Sequence, residues 1–193
     1  MVETSATPLP KLAAIDDCWR RIGVSGEYAL TICRIEPENN CGLLIEGFLR
    51  SSCPAYVFVG NWAASPYGRD LRARYGANPR LRLLDPIYDA ATVFSLRSGC
   101  RHYLHGHSVG GTNPSLVEML YFDCAILCYD CAFNRATARD SVAYFDTAEA
   151  LGAALQQSPA VDPTRRGALR IAYSATTIGE QLSQVLNIAG KAG

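Results

Sequence analysis

The chain has 193 residues, 49% of them apolar, which suits one domain with a real core and argues against disorder. Lysine and arginine (18) balance aspartate and glutamate (18), and no basic stripe occurs, which argues against nucleic acid as a partner. Its longest apolar runs fall far short of a bilayer span and the first residues lack a signal-peptide pattern. No transmembrane segment is therefore expected, and the expected place is the cytoplasm, free or peripheral to the inner membrane.

Residues 1–27 read as a lead-in or linker, with a helical stretch around Leu12–Arg21, and 28–193 as the main domain. Tyr28–Cys33 (YALTIC) reads as a buried strand, followed by the polar loop RIEPENN. Leu43–Leu49 is expected to be helical, Ala55–Val59 a strand, and Asp70–Tyr75 part of a helix that starts near Ser65-Pro66. Leu81–Leu84 is a short strand, and Asp89 caps a helix running to about Ser98. Arg101–His105 is a strand, Pro114–Tyr121 a helix, and Ala125–Cys128 a strand, with a loop next through Asn134 and Arg135. Ala143–Phe145 is a short strand, and Thr147–Gln157 and Thr164–Leu186 are helical, interrupted by Pro159 and Pro163. Strands thus alternate with helices at intervals of roughly 25 residues, the mark of βαβ units in a parallel α/β sheet with helices on both faces. Ligands of such sheets bind beyond the carboxyl ends of the strands, which selects the loops after Cys33, Val59, Leu84, His105, Cys128 and Phe145.

The most informative of these loops is HGHSVGGTNPSLVE, His105 to Glu118. Gly106, Gly110 and Gly111 permit a tight turn and a close approach of backbone to ligand. Asn113 suits a helix cap and Pro114 the first helical position. A helix start presents unpaired N–H groups, for which phosphate is a usual guest. His105 and His107 lie two apart on extended backbone and share a face. They could bond a phosphate or sugar, or His105 and His102 could be buried structural groups. No third ligand has metal-site spacing, so no metal is expected.

Other residues carry two readings each. Arg34 follows the first strand and either grips phosphate or pairs with Glu36 or Glu38. Glu118 either accepts from ribose hydroxyls or serves its own helix, as in a capping box with Ser115. Tyr129, Asp130, Asn134 and Arg135 either touch a transferred group or are turn residues. Cys124, Cys128 and Cys131 spell C-x3-C-x2-C, a spacing also seen in radical S-adenosylmethionine enzymes. Two of the three would be spread along a strand and could not converge on a cluster. Of the eight cysteines, most sit in apolar segments, as buried reduced thiols do.

RIEPENN at Arg34–Asn40, LDPIYD at Leu84–Asp89, HGHSVGGTNPSLVEML at His105–Leu120 and YDCAFNR at Tyr129–Arg135 resemble the bacterial rhamnosyltransferase-type glycosyltransferases of family 4. The match runs from about Tyr28 to near Phe145. The resemblance implies a GT-B fold, of which this chain looks like the carboxyl-terminal, donor-binding domain, without the amino-terminal acceptor domain. It implies transfer of a sugar, such as rhamnose, from a nucleoside diphosphate-sugar to a glycan or lipid-linked acceptor, with retention of configuration and no metal or other cofactor. Arg34 would hold the diphosphate and, with His107, stand in the catalytic role. Gly110, Gly111, Thr112, Asn113, Ser115, Glu118 and Asn134 would complete the donor site, with Glu118 on the ribose. Two positions depart from the family: Asn39 stands near its lysine, and Gly110 where the first of its paired glutamates falls. The isolated domain is expected to transfer little sugar. A non-catalytic nucleotide-binding subunit, a truncated transferase needing a separate acceptor domain, and an unrelated α/β enzyme are the alternatives.

Overall fold

The structure, a computed structural model, describes residues 19–20, 22–24, 26–157, 159 and 162–178. At its centre lie six parallel strands: β1 (Ala29–Ile32), β2 (Tyr56–Val59), β3 (Leu81–Leu84), β4 (His102–His105), β5 (Ala125–Tyr129) and β6 (Ala143–Phe145). Their spatial order is β3-β2-β1-β4-β5-β6, the Rossmann-like α/β sheet that the strand–helix alternation predicts. Ala29 and Leu30 pair with Tyr56 and Val57 on one side and with His102 and Tyr103 on the other. β2 and β4 are buried along their whole length, because helices cover both faces.

The helices are α1 (Cys41–Leu49), α2 (Pro66–Tyr75), α3 (Ala90–Gly99), α4 (Pro114–Met119), α5 (Ala132–Ala138), α6 (Ala148–Gln157) and α7 (Pro163–Ala172). Short polar side chains start several of them. Ser65 accepts from the Gly68 amide, Asp89 from Thr92, Asn113 from Ser115 and Asp162 from Thr164 and Arg165. Proline follows the cap in α2, α4 and α7, where its missing N–H is harmless.

Each face of the sheet has its own core. One gathers Phe48, Tyr56, Phe58, Trp62 and Leu151, with ring centroids 5.0 Å apart for both Phe48–Tyr56 and Phe58–Trp62. The other gathers Leu30, Val57, Leu96, Tyr103, Leu116, Ile126 and Leu169.

Three expectations are corrected. The segment through Asn134 and Arg135 is not a loop but helix α5. Asn134 looks like a turn former, yet its side chain is buried and bonds outside its own helix, and alanine-rich neighbours propagate the turn. The long helix expected from Thr164 stops at Ala172 and turns at Tyr173-Ser174, where Ser174 Oγ accepts from the Thr177 amide and starts a new turn over 175–178. The polar loop after β1 contains a 3-10 turn, Pro37–Asn39. The helix expected over Leu12–Arg21 lies mostly outside the described residues; Trp19 and Arg20 are helical, and Val24 is buried in the second core.

Candidate functional site

The strand order reverses between β1 and β4, so the loops leaving these two strands diverge and leave a crevice at their carboxyl ends. A cavity of about 150 Å³ occupies this corner. Its floor is strand residues, Thr31 and Ile32 from β1 with Tyr103 and His105 from β4. Cys33, Arg34 and Asn39 form one wall, and His107, Asn113 and Ser115 the other.

Asparagines tie these loops together. Asn39 is buried; its Nδ2 donates to the Arg34 carbonyl at 2.9 Å and its Oδ1 stands 2.8 Å from His107 Nδ1. Asn40 adopts the left-handed region (φ 50°) and donates to the Gly106 carbonyl at 2.8 Å. Ser108 closes the seam, with its amide and its hydroxyl both donating to the Glu38 carbonyl at 2.9 Å. From α5, Asn134 (2% exposed) donates to the carbonyls of His107 at 2.8 Å and Tyr129 at 2.9 Å. Loops after β1, β4 and β5 therefore form one hydrogen-bonded rim.

The glycines serve different ends. A Cβ on Gly106 would stand 2.2 Å from the Asn39 carbonyl oxygen, so this glycine is required by loop-to-loop packing and not by a ligand. Gly110 has φ 102°, which makes the turn possible, while a Cβ on Gly111 would meet open space. From Val109 to Asn113 no backbone amide donates to another described residue; Val109 to Thr112 are exposed, and Asn113 at the end of this turn lines the cavity. Helix α4 has only six residues, and its Ser115 and Leu116 amides are already taken by the Asn113 side chain and carbonyl.

Arg34 reaches the wall of the cavity, but its side chain is 75% exposed and paired with Glu38 at 3.2 Å. The structure shows the pairing with Glu38, at a position on the cavity wall. Glu118 neither lines the cavity nor forms a capping box with Ser115, since Asn113 is the cap. It holds Arg97 of α3, whose side chain is only 14% exposed, while Glu118 itself is 52% exposed. Thr112 is exposed and does not line the cavity.

Two groups can be placed chemically. The His105 ring, 4% exposed, has its pKa pushed down to about 4 by burial first and by His107 second, with the Asn134 side chain opposing. It is neutral at physiological pH. The Cys33 thiol is pushed up by its hydrogen bond with Cys41 and by burial, so it stays protonated and is no nucleophile. Cys124 and Cys128 are buried at the start and within β5, as spread as the sequence suggests, and no group of three ligating side chains occurs among the described residues.

Sequence reasoning missed Asn39, Asn40, Thr31 and Tyr103. The asparagine pair that ends RIEPENN carried a turn signal, but nothing local announces a side chain that spans to a loop 66 residues away.

No protein-family model matches the chain, and no curated protein matches it. Solved structures are similar in fold. HepE of Anabaena, solved in complex with UDP-glucose, matches 92% of this chain and 53% of its own length at 13% identity and a TM-score of 0.74. A glycosyltransferase from Rickettsia africae matches 94% of this chain and 52% of its own at 12% identity and a TM-score of 0.74. The C-terminal domain of the group 1 glycosyl transferase LpcC from Francisella tularensis matches 81% and 86% at 15% identity and a TM-score of 0.58. The chain spans about half the length of the first two. Its fold is one half of the two-domain arrangement of GT-B glycosyltransferases.

Proposed function

We propose that this chain is the donor-binding domain of a glycosyltransferase, moving a sugar such as rhamnose from a nucleoside diphosphate to a glycan or lipid-linked acceptor. The observation that carries this reading is the open crevice at the strand-order reversal, with Arg34 on one wall and Asn113 on the other, at the end of an exposed turn whose amides donate to no described residue. A diphosphate is the ligand such a corner suits. Departure of the sugar leaves charge on its oxygens, and preorganised donors that face this charge are each worth a few kcal/mol of barrier. Here the donors are the amides from Val109 to Asn113 and the Arg34 guanidinium. Arg34 must leave Glu38 to serve, and an exposed pair of this kind contributes only about 0–1 kcal/mol, so the exchange is cheap. Glu118, half exposed one turn along α4, is the candidate for the ribose, and Thr112, Ser115, His107 and Asn134 complete or support the site. Similarity to HepE, a protein solved with UDP-glucose, favours a uridine nucleotide as the first ligand to try.

Transfer also requires an acceptor hydroxyl held against the donor with water excluded. The described residues form only the donor side. We therefore propose that they bind nucleotide but turn over little sugar without an acceptor-binding domain. No described helix is long and apolar enough to cross a membrane, so a lipid-linked acceptor would be met at the surface.

Calorimetric titration with uridine and thymidine diphosphates tests the reading. Binding that weakens about tenfold or more in Arg34→Ala is expected. Absence of binding by the wild-type chain, or unchanged affinity in both Arg34→Ala and Glu118→Gln, would falsify it.

A further inference from the structure

A cavity of about 350 Å³ lies between helix α5 and the edge strand β6, and it shares no lining residue with the crevice. Arg135, Arg139, Asp140, Val142 and Tyr144 line it. The carboxylates around it are already engaged. Asp130 holds Arg135 through both oxygens, at 2.5 Å to Nε and 2.6 Å to Nη2. Asp140 pairs with Arg165 at 2.9 Å, and Asp162 pairs with the same arginine at 3.0 Å. Arg139 is the cation left over: it is exposed, and among the described residues its guanidinium makes no hydrogen bond or ion pair. Arg135 gives Asp130 two of its five N–H groups and lies over the Tyr144 ring, 4.5 Å from the centroid, so its Nη1 is uncommitted.

Arg139 also occupies a costly backbone position. It ends α5 with φ 49° and ψ −130°, where a glycine is usual because it has no Cβ to clash. The turn is fixed from both sides. The Arg139 amide donates to the Arg135 carbonyl at 2.9 Å, and the Tyr144 hydroxyl donates to the Arg139 carbonyl. Strain of this kind persists where the surroundings impose it, and it clusters at sites that bind or react. Here the fold makes no use of the arginine side chain that the position carries.

A guanidinium is a flat fork of donors that matches phosphate oxygens in pairs. Arg135 and Arg139 stand four residues apart, one turn along the same side of α5, so both reach one ligand. Val142 and the Tyr144 ring give the same cavity an apolar flank, and its volume leaves room beside a phosphate for a small organic group. We propose that this cavity is a phosphate-ester site, in which Arg139 and the Nη1 of Arg135 hold the phosphate and Val142 and Tyr144 bear its ester carbons. It is separate from the crevice and stands whether or not the crevice takes a sugar nucleotide. The ester belongs either to a soluble ligand or to the headgroup of an anionic lipid, and glycerol phosphate is the chemistry common to both.

The test is calorimetry of the full chain with sn-glycerol 3-phosphate at low salt, where exposed charges are least screened. Binding is expected, weakened about tenfold or more in Arg139→Gly and less in Arg139→Lys, which keeps the charge but not the fork. Arg34→Ala, which alters only the crevice, should leave it unchanged. Arg139→Gly should also melt no lower than wild type, since glycine adopts this backbone without a clash, so that lost binding is not lost fold. Sedimentation with vesicles of phosphatidylglycerol and of phosphatidylcholine separates the two sources. Capture by phosphatidylglycerol alone that depends on Arg139 assigns the lipid, and glycerol phosphate binding without such capture assigns a soluble ester. A wild-type chain that binds neither probe overturns the site. So does glycerol phosphate binding that survives in Arg139→Gly or disappears in Arg34→Ala, and so does a clearly lower melting temperature for Arg139→Gly, which would show that the arginine serves the fold.

Discussion

Replacing Asn134 tests how the site is held together. The side chain is 2% exposed and its amide donates two bonds, to the carbonyls of His107 at 2.8 Å and Tyr129 at 2.9 Å. Asn134→Asp is nearly the same shape but reverses the chemistry: a carboxylate has no hydrogen to give, and would set negative charge against two carbonyl oxygens in a dry site. Each carbonyl left without its donor costs about 1–3 kcal/mol of unmet desolvation, roughly 2–6 kcal/mol for the two. The His107 carbonyl keeps a weak contact from the Cys131 thiol at 3.7 Å, which softens one of the two terms. A loss of about 3–5 kcal/mol is expected for Asn134→Asp, and about 2–4 kcal/mol for Asn134→Ala, which loses the bonds but buries no charge. For a domain of this length, each kcal/mol lowers the melting temperature by roughly 2–4 °C. Urea denaturation at pH 7 gives the free energies and scanning calorimetry the temperatures. If Asn134→Asp lies within about 0.5 kcal/mol of wild type, the amide does not staple these loops.

Gly106→Ala is expected to cost more than about 2 kcal/mol, because the new methyl would stand 2.2 Å from the Asn39 carbonyl; urea melts check this, and Gly111→Ala, which meets open space, serves as the mild comparison. Glu118→Ala should cost about 1–2 kcal/mol by leaving mostly buried Arg97 unpaired, a figure discounted for the half-exposed carboxylate, whereas Glu118→Gln keeps an acceptor and most of that stability in the same melts. Arg34→Ala should leave stability within about 0.5 kcal/mol, since its ion pair with Glu38 is exposed on the arginine side, so any loss of nucleotide binding is a loss of contact and not of fold. Acid should weaken the fold through His105. Its folded pKa is about 4, below the unfolded value near 6.5, so the unfolded chain takes up the proton first; stability is full above about pH 6.5 and falls as pH drops toward 4, by about 3 kcal/mol. Urea melts at pH 7, 5.5 and 4.5 should show this slope, and His105→Gln should flatten it.

Sequence alone gave away the sheet because its signals are local. Each strand is a short apolar run and each helix start a short polar residue with proline behind it, so Ser65-Pro66, Asp89 and Asn113-Pro114 could be placed without tertiary knowledge. Arg34 was legible as a residue that leaves a strand into a carboxyl-edge loop. Asn134 misled as to structure, since asparagine's preference for turns is a local rule, and here two distant carbonyls overrode it. Glu118 was read as serving its own helix or a ribose, yet the structure shows it on Arg97, 21 residues earlier in the chain.

The part that no pattern could show is the division of labour among polar side chains at the crevice. Glycine-rich turns are read as phosphate loops, and the helix start after one as an anion site. In this chain α4 is short and its Ser115 and Leu116 amides are already taken by Asn113, so the amides that donate to no described residue are those of the exposed turn before it, Val109 to Asn113. Behind that stretch, Asn39 uses both polar ends, giving a hydrogen to the Arg34 carbonyl and meeting the His107 ring, while Asn134 gives both of its hydrogens to the carbonyls of His107 and Tyr129. Two buried amides thus hold three loops in one arrangement around the crevice, and the exposed Arg34 guanidinium is left to move. Exchange of Asn134 for aspartate should therefore cost stability first, whereas loss of Arg34 should leave the fold intact and weaken UDP and UDP-glucose equally.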